Sequence, residues 1–406
     1  MATLSTYKPA IIIPAYKRDK SLLRLLHSIN EANFSDQDIR VIISVDGDPN
    51  PDVISVAKNF SFKSGTVEVI EHDKNLGLYK HILECADYSG KYESVLILED
   101  DLVVGPAFYE YAQRALSYYD ENESISGVAL YSQRFNETAL LPFEPLNSEW
   151  PVYFMQLGCS WGQAWTKRQW NDFKNWHLQT SSNTTLDKPV IPKNIQKWAE
   201  SSWKKHYNHY LIEQNKYMVY PYNSFTTNCT DSVGSHMKYL LNTFQVPLNM
   251  SESLGDGFQF PEFNENSIRY DSFMESKSKM LERWFGLQLE EVEVDLYGSK
   301  PVEVLQKKKY AVTVKEGENP IRSFPLSFRP IELNLKYETH HKDNSFLHLF
   351  KSEDVPTNHS LADSIYYQLA EYFLYIPIES RRFASLYFKE FLKSLIGRFK
   401  NLFLSK

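Results

Sequence analysis

"ESVLILEDDLVVGPAFYEYAQRAL", residues 93–116, contains an apolar run, Val95–Leu98, that breaks directly into Glu99-Asp100-Asp101 and resumes at Leu102-Val103-Val104. A short apolar run bounded in this way reads as a buried strand. Working outward, "PAIIIPAYKR" is a first buried strand, followed by "SLLRLLHSINEA", with apolar residues at the spacing of a helix. "IRVIISVDGDPNP" is a second strand, "DVISVAKNF" a helix, "GTVEVIEHD" a third strand and "LGLYKHILECADYS" another helix, so that "SVLILEDD" is the fourth strand of a βαβαβαβ order. Such alternation predicts an α/β fold, a mostly parallel sheet with helices on both faces. Ligands of these sheets lie at the carboxyl ends of the strands. That rule gathers Tyr16-Lys17-Arg18, Asp46-Gly47-Asp48 and Glu99-Asp100-Asp101 on one edge. There is no Gly-rich G-x-G-x-x-G turn after the first strand, which argues against a dinucleotide fold.

A chain of 406 residues suggests two or three units. Its net charge of -7 argues against nucleic acid as a partner. Cys85, Cys159 and Cys229 match no metal or redox spacing. The first twenty residues carry no apolar stretch long enough for a signal peptide or membrane span, so a cytoplasmic chain is expected. The last 26 residues differ from the rest, with seven basic residues against one acid. From Phe383 to Phe403 the apolar positions follow a helical period, with Lys389, Lys393 and Lys400 on the other face. That pattern predicts a basic amphipathic helix in peripheral contact with the inner face of the cell membrane.

Carboxylates at a strand end suit hard cations such as Mg²⁺ or Mn²⁺, which in turn neutralise a diphosphate. An acidic helix start would show the same composition. The motifs "IIIPAYKR", "SVDGD", "NLGLYK", "LILEDDLVVGPAFYEYAQ", "LGCSWGQAW" and "NCTDSVGSH" together resemble GT-A type glycosyltransferases, in particular the N-acetylglucosaminyltransferase I group and bacterial family 2 enzymes of the capsule and O-antigen type. The resemblance covers roughly residues 9–240. It implies that Asp101 ligates the metal, Mn²⁺ or Mg²⁺, and that Glu99 and Asp100 face the ribose and sugar. It further implies that Asp46 reads a uracil edge, that Arg18 contacts the diphosphate, and that Asn75 and Gly77 lie where a helix begins near the nucleotide. Capping is the competing role for Asn75, and a plain turn is the competing role for Asp46.

In the acceptor half, small residues around Trp161, with Gly162, suit close approach of a sugar and stacking on an indole; a core tryptophan is the alternative. His236 is a candidate late metal or phosphate contact. An inverting transfer needs a general base. The carboxylate that the resemblance leads one to expect after Trp203 is missing, because Lys204 and Lys205 stand there. Glu200, then Asp231, are the candidates. The chain is read as a catalytic domain over 1–248 (nucleotide half 1–120, acceptor half 121–248), a linker and helix over 249–284, a small β-rich unit over 285–345 and a helical tail over 346–406. The expected activity is metal-dependent transfer of a hexosyl or N-acetylhexosaminyl group from a UDP-sugar to a glycan or lipid-linked acceptor, in bacterial surface polysaccharide synthesis. The alternatives are an inactive glycan- or nucleotide-binding scaffold subunit and a sugar nucleotidyltransferase.

Overall fold

The computed structural model describes residues 7–180, 190–229, 243–341, 345–357 and 363–374, with 385, 388 and 389. Two compact units are present, residues 1–359 and 360–406. The first begins with β1 (Ala10–Ala15), α1 (Asp19–Glu31), β2 (Ile39–Val45), α2 (Pro51–Asn59), β3 (Gly65–Glu71), α3 (Gly77–Asp87), the short α4 (Ser89–Tyr92) and β4 (Ser94–Ile97), the alternation read from the sequence. After the acid triplet come β5 (Leu102–Val104), α5 (Phe108–Tyr119), β6 (Ile125–Ala129), the small pair β7 (Phe135–Asn136) and β8 (Leu141–Pro142), β9 (Val152–Met155) and β10 (Gln163–Thr166). Helices α6 (Lys167–Thr180), α7 (Lys193–Gln196) and α8 (Trp203–Glu213) follow, then β11 (Tyr217–Pro221), β12 (Thr226–Asn228) and β13 (Arg269–Tyr270).

Nine of these strands form one sheet in the order β13-β9-β11-β6-β10-β4-β1-β2-β3. Strands β3, β2, β1 and β4 are parallel. Beyond them β10 runs antiparallel to both β4 and β6, and β9 antiparallel to β11. Side chains of a strand alternate between faces. Ile11, Ile13, Val41, Ile43 and Leu96 therefore pack on one side with Leu22 and Leu26 of α1, Val53 of α2, and Tyr111 and Leu116 of α5. On the other side Trp165 of β10 meets Trp170 of α6, and Trp203 and Tyr207 of α8. Burial on both faces explains why β1 reads "AIIIPA" without polar alternation.

The segment expected as a linker is packed instead. Phe260 is buried in the main core, with Leu254, Phe258 and Phe263 against it, and the Arg114 guanidinium of α5 donates to the carbonyls of Gly255 and Phe258.

A short helix α9 (Glu282–Phe285) leads to a four-stranded sheet of β14 (Val292–Asp295), β15 (Tyr310–Thr313), β16 (Arg322–Phe324) and β17 (Leu347–Lys351), with α10 (Val302–Leu305) between its first two strands. This small sheet is tied to the large one by buried charge. Lys300 Nζ lies 2.5 Å from both Asp271, next to β13, and Glu293 of β14. The stretch "FRPIELNLKYE", inside the segment read as β-rich, contains a 3₁₀ helix at Ile331–Lys336. The cause is Asn334, buried, whose side chain accepts from Ser327 and Phe328 N–H and donates to the Phe328 and Ile331 carbonyls, a local closure that competes with strand pairing. In the second unit α11 (Asp363–Leu374) is described. The amphipathic pattern of 383–403 lies almost wholly outside the described residues. Among the described residues no helix is long and apolar enough to cross a membrane.

Candidate active site

The parallel register brings the ends of β1, β2 and β4 to one edge. Leu98 N–H donates to the Ile12 carbonyl, and Asp46 N–H to that of Ala15, so the residues that follow β1, β2 and β4 are neighbours across the sheet. Arg18, at the N-terminus of α1, reaches across this edge. Its Nη1 lies 2.6 Å from Asp101 Oδ2, and its Nη2 pairs with Asp100 Oδ1. Asp100 is buried, and desolvation pushes its carboxyl up to about 6; Arg18 and the Tyr16 N–H oppose that shift, while Asp101 adds to it. Glu99 is pushed up as well, first by burial and then by the charge of Asp101, with Arg18 and Lys204 pulling the other way. Three carboxylates thus crowd one strand end with a single guanidinium between two of them.

That donor set fits a hard cation. Asp101 Oδ1 is buried with no hydrogen-bond partner, an arrangement costly to leave unpaired in a site of low polarity. Among the described residues no group of three His, Cys, Asp or Glu side chains is placed to hold a metal ion by itself. An ion held here through one or two carboxylates would take its remaining ligands from water and substrate phosphate, the usual mode for Mg²⁺. His236 and Asp231 lie outside the described residues. The chain enters that stretch beside the triplet, since Cys229 N–H donates to the Asp101 carbonyl and β12 pairs with β5.

Asp46 is buried, and both of its oxygens are engaged. Oδ1 accepts from the N–H of Leu76 at 2.7 Å and of Gly47 at 2.9 Å, and Oδ2 from Gly77 N–H at 3.1 Å. It therefore supplies the start of α3 with the acceptor that its own N-cap residue, Leu76, lacks. Asn75, offered as a cap, is exposed and does not meet these N–H groups. Gly77 has φ +74°, a left-handed conformation that suits glycine. Behind Asp46, Ser44 Oγ lies 2.7 Å from His81 Nε2 and 3.0 Å from His72 Nε2. Burial lowers His81 to about 4, so the ring is neutral.

Between β9 and β10, Trp161 is enclosed by Tyr131 at 4.8 Å and Phe244 at 4.9 Å between ring centroids, with Lys204 Nζ 5.1 Å from its own. Its indole packs against protein, so the stacking surface expected of it is largely taken. Gly162 has φ +91°, and a Cβ there would sit 2.8 Å from the Thr226 methyl, so its glycine is required by packing. Glu200 is exposed and ion-paired with Lys205 at 2.6 Å; that hydrogen bond holds its carboxyl below the usual range. A carboxylate so engaged is a weak proton acceptor.

The two lysines that replace the expected acid diverge. Lys205 Nζ is buried against the carbonyls of Gln196 and Trp198. Lys204 Nζ sits 5.1 Å from the centroids of both Trp161 and Trp198, 3.9 Å from Glu137, and within electrostatic reach of Glu99. Lys204 and Trp198 were not candidates from the sequence; the visible signal was a charge reversal after Trp203.

Residues 10–187 match glycosyl transferase family 2. Over that stretch the chain is similar to GT-A type glycosyltransferases, the resemblance read from its motifs. The chain is also similar to solved structures. A mannosyltransferase, PcManGT from Pyrobaculum calidifontis in complex with GDP-Man and Mn²⁺, is 12% identical over 40% of this chain and 46% of its own, with a TM-score of 0.30. TarS from S. aureus, residues 1–349, is 13% identical over 54% and 59%, with a TM-score of 0.33. The same protein in complex with UDP gives 18% over 36% and 39%, with a TM-score of 0.25. The chain spans about half the length of the structures it matches. No curated protein matches it.

Proposed function

We propose that this chain is a glycosyltransferase that moves a sugar from a UDP-sugar to a hydroxyl of a glycan or lipid-linked acceptor, with inversion, in the synthesis of a bacterial surface polysaccharide. The observation that carries the reading is the orphaned Asp101 oxygen beside Arg18 at the carboxyl edge of the parallel strands. Asp101, seconded by Asp100, would hold Mn²⁺ or Mg²⁺, which supplies charge neutralisation for a departing diphosphate. Arg18 presents a fixed fork of donors at the same edge, suited to phosphate oxygens. Asp46, buried and already accepting three N–H groups, fixes the backbone on which the base and ribose of the donor would rest. Of the two candidate bases the sequence ranks Glu200 first, but Glu200 is exposed and engaged by Lys205, which leaves Asp231 as the preferred base. Peripheral membrane contact through 383–403 rests on the sequence pattern alone.

The test is UDP release from a panel of UDP-sugars, with and without Mn²⁺, for the wild type and Asp101→Ala. Metal-dependent release that disappears in the variant supports the reading and names the donor. A second reading, a scaffold subunit that binds but does not transfer, is favoured by Lys204 and Lys205 in the place of a base; it predicts UDP binding without release.

A further inference from the structure

On the α5 face of the large sheet lies a groove of about 1180 Å³, larger than most small-molecule sites. Its floor includes Val152 and Phe154 of β9, one wall is the C-terminal half of α5, and the other is the packed strap around 258–268. Strand β9 stands four places from β4 in the sheet order. At the usual strand spacing that puts the groove roughly 19 Å from the strand bearing the acid triplet.

Trp150 stands at this groove 37% exposed, and among the described residues its indole has neither a ring partner nor a hydrogen bond; only its backbone N–H is bonded, to Ser148 Oγ. A large aromatic ring left open beside a cavity is an informative exception to burial. Phe258 and Tyr118, both half-buried, extend the aromatic surface. Planar amides of Gln259, Asn264 and Asn266 lie among them. The single cation of the lining, Arg114, is paired with Glu110 at 3.1 Å and bonded to two carbonyls. The charge that remains is acidic, from Glu149 and Glu262. Among the described lining residues no unpaired cation is available to a phosphate or a polyanion, whereas aromatic rings together with amides match the apolar faces and hydroxyl edges of pyranose rings.

We propose that this groove is a second saccharide site, which binds a neutral oligosaccharide apart from the site of transfer. The choice of ligand class rests on the reading of the chain as a sugar transferase.

The experiment is calorimetric titration of the full chain with maltohexaose, cellohexaose, chitohexaose and, as an anionic control, hexagalacturonate. It is run on the wild type, Trp150→Ala and Asn266→Ala, both changes at exposed or open positions, with UDP binding measured on each. The result expected is binding of at least one neutral hexasaccharide, weakened about tenfold by Trp150→Ala, as loss of a stacked ring gives, and weakened less by Asn266→Ala, with UDP binding unchanged. The proposal is overturned if no neutral hexasaccharide binds, if Trp150→Ala binds as well as the wild type, or if hexagalacturonate binds equally tightly. Donor turnover without hexasaccharide binding removes the groove alone. Hexasaccharide binding through Trp150 without turnover of any donor keeps the groove and removes the transfer reading.

Discussion

Arg18 holds Asp101 through a 2.6 Å contact with one amino group while the other reaches Asp100, so two neighbouring carboxylates after β4 share one guanidinium. The pair of acids keeps Arg18 firmly protonated against the cost of its burial. Removing one partner of such a network is more damaging than its net worth, because the other charges stay behind unpaired. Arg18→Ala should therefore destabilise the metal-free protein by about 3 kcal/mol. A divalent ion can replace the lost charge, so Mn²⁺ should raise the melting temperature of Arg18→Ala more than that of the wild type. Equal rises in a thermal melt would mean that the ion does not share the site with Arg18.

Asp46 closes the start of α3 from another loop, with two oxygens facing three N–H groups. In Asp46→Asn one oxygen becomes a donor that faces donors. The loss is that of a helix cap, about 1–2 kcal/mol, together with faster amide exchange at Leu76 and Gly77. Urea melts and hydrogen exchange by NMR measure both; a drop in stability with exchange at those two amides unchanged would refute the capping role.

His81 gives the fold a pH dependence whose sign is fixed. Burial lowers its pKa from 6.5 to about 4, with Asp46 opposing and His72 adding to the shift, and Ser44 Oγ in contact. Between those values the unfolded chain binds more protons than the folded one, so stability falls as pH falls. The contribution is full above about 6.5 and is lost progressively toward pH 4, reaching about 3 kcal/mol for this group. His81→Gln should flatten that limb of a stability-pH curve measured in urea. An unchanged slope would assign acid sensitivity to other groups.

The alternation of β1 to β4 was legible because β1, β2 and β4 are almost wholly buried, the edge strand β3 alternates apolar and polar residues, and the helices between them show apolar stripes. The acid triplet was legible because charge following a buried strand has few explanations. Other features depend on contacts between distant segments. Strand β10 reverses direction between β4 and β6, and nothing in "QAWT" records that. The enclosure of Trp161 needs Tyr131, Lys204 and Phe244, which are far apart in the chain. The small β unit was visible, but its union with the large sheet was not, since Asp271, Glu293 and Lys300 read as ordinary polar residues until they are found buried together.

That buried cluster makes its own prediction. Lys300 is fully desolvated between Asp271 and Glu293, and Lys300→Met leaves Asp271 without its cation and Glu293 with only Lys308, 3.5 Å away. The expected loss is about 3–5 kcal/mol, as for breaking a buried ion pair. The triple change with Asp271→Asn and Glu293→Gln should recover part of it. Chemical denaturation of the wild type and the two variants checks the pattern, and Lys300→Met without effect would show that the cluster is solvated in solution.

Lys204 and Lys205 are adjacent, and their surroundings assign them opposite consequences. Lys205 serves three acceptors, the carbonyls of Gln196 and Trp198 and the Glu200 carboxylate, and so holds the turn that leads into α8. Lys205→Met should cost about 1–3 kcal/mol, the penalty for buried acceptors left unmet, with donor turnover per folded molecule preserved. Lys204 is held between two indoles, and its charge offsets that of Glu99 at the edge of the triplet. Lys204→Met keeps the stem that packs on the rings and removes only the cation. Stability should change by less than about 1 kcal/mol, in line with a cation near aromatic faces, while metal-dependent UDP release falls about tenfold, the effect of a lost charge interaction of ordinary size at a reacting centre. Parallel melts and release assays on the two variants separate the roles. If Lys204→Met loses stability and keeps turnover, the cation belongs to the scaffold of the acceptor half and not to its chemistry.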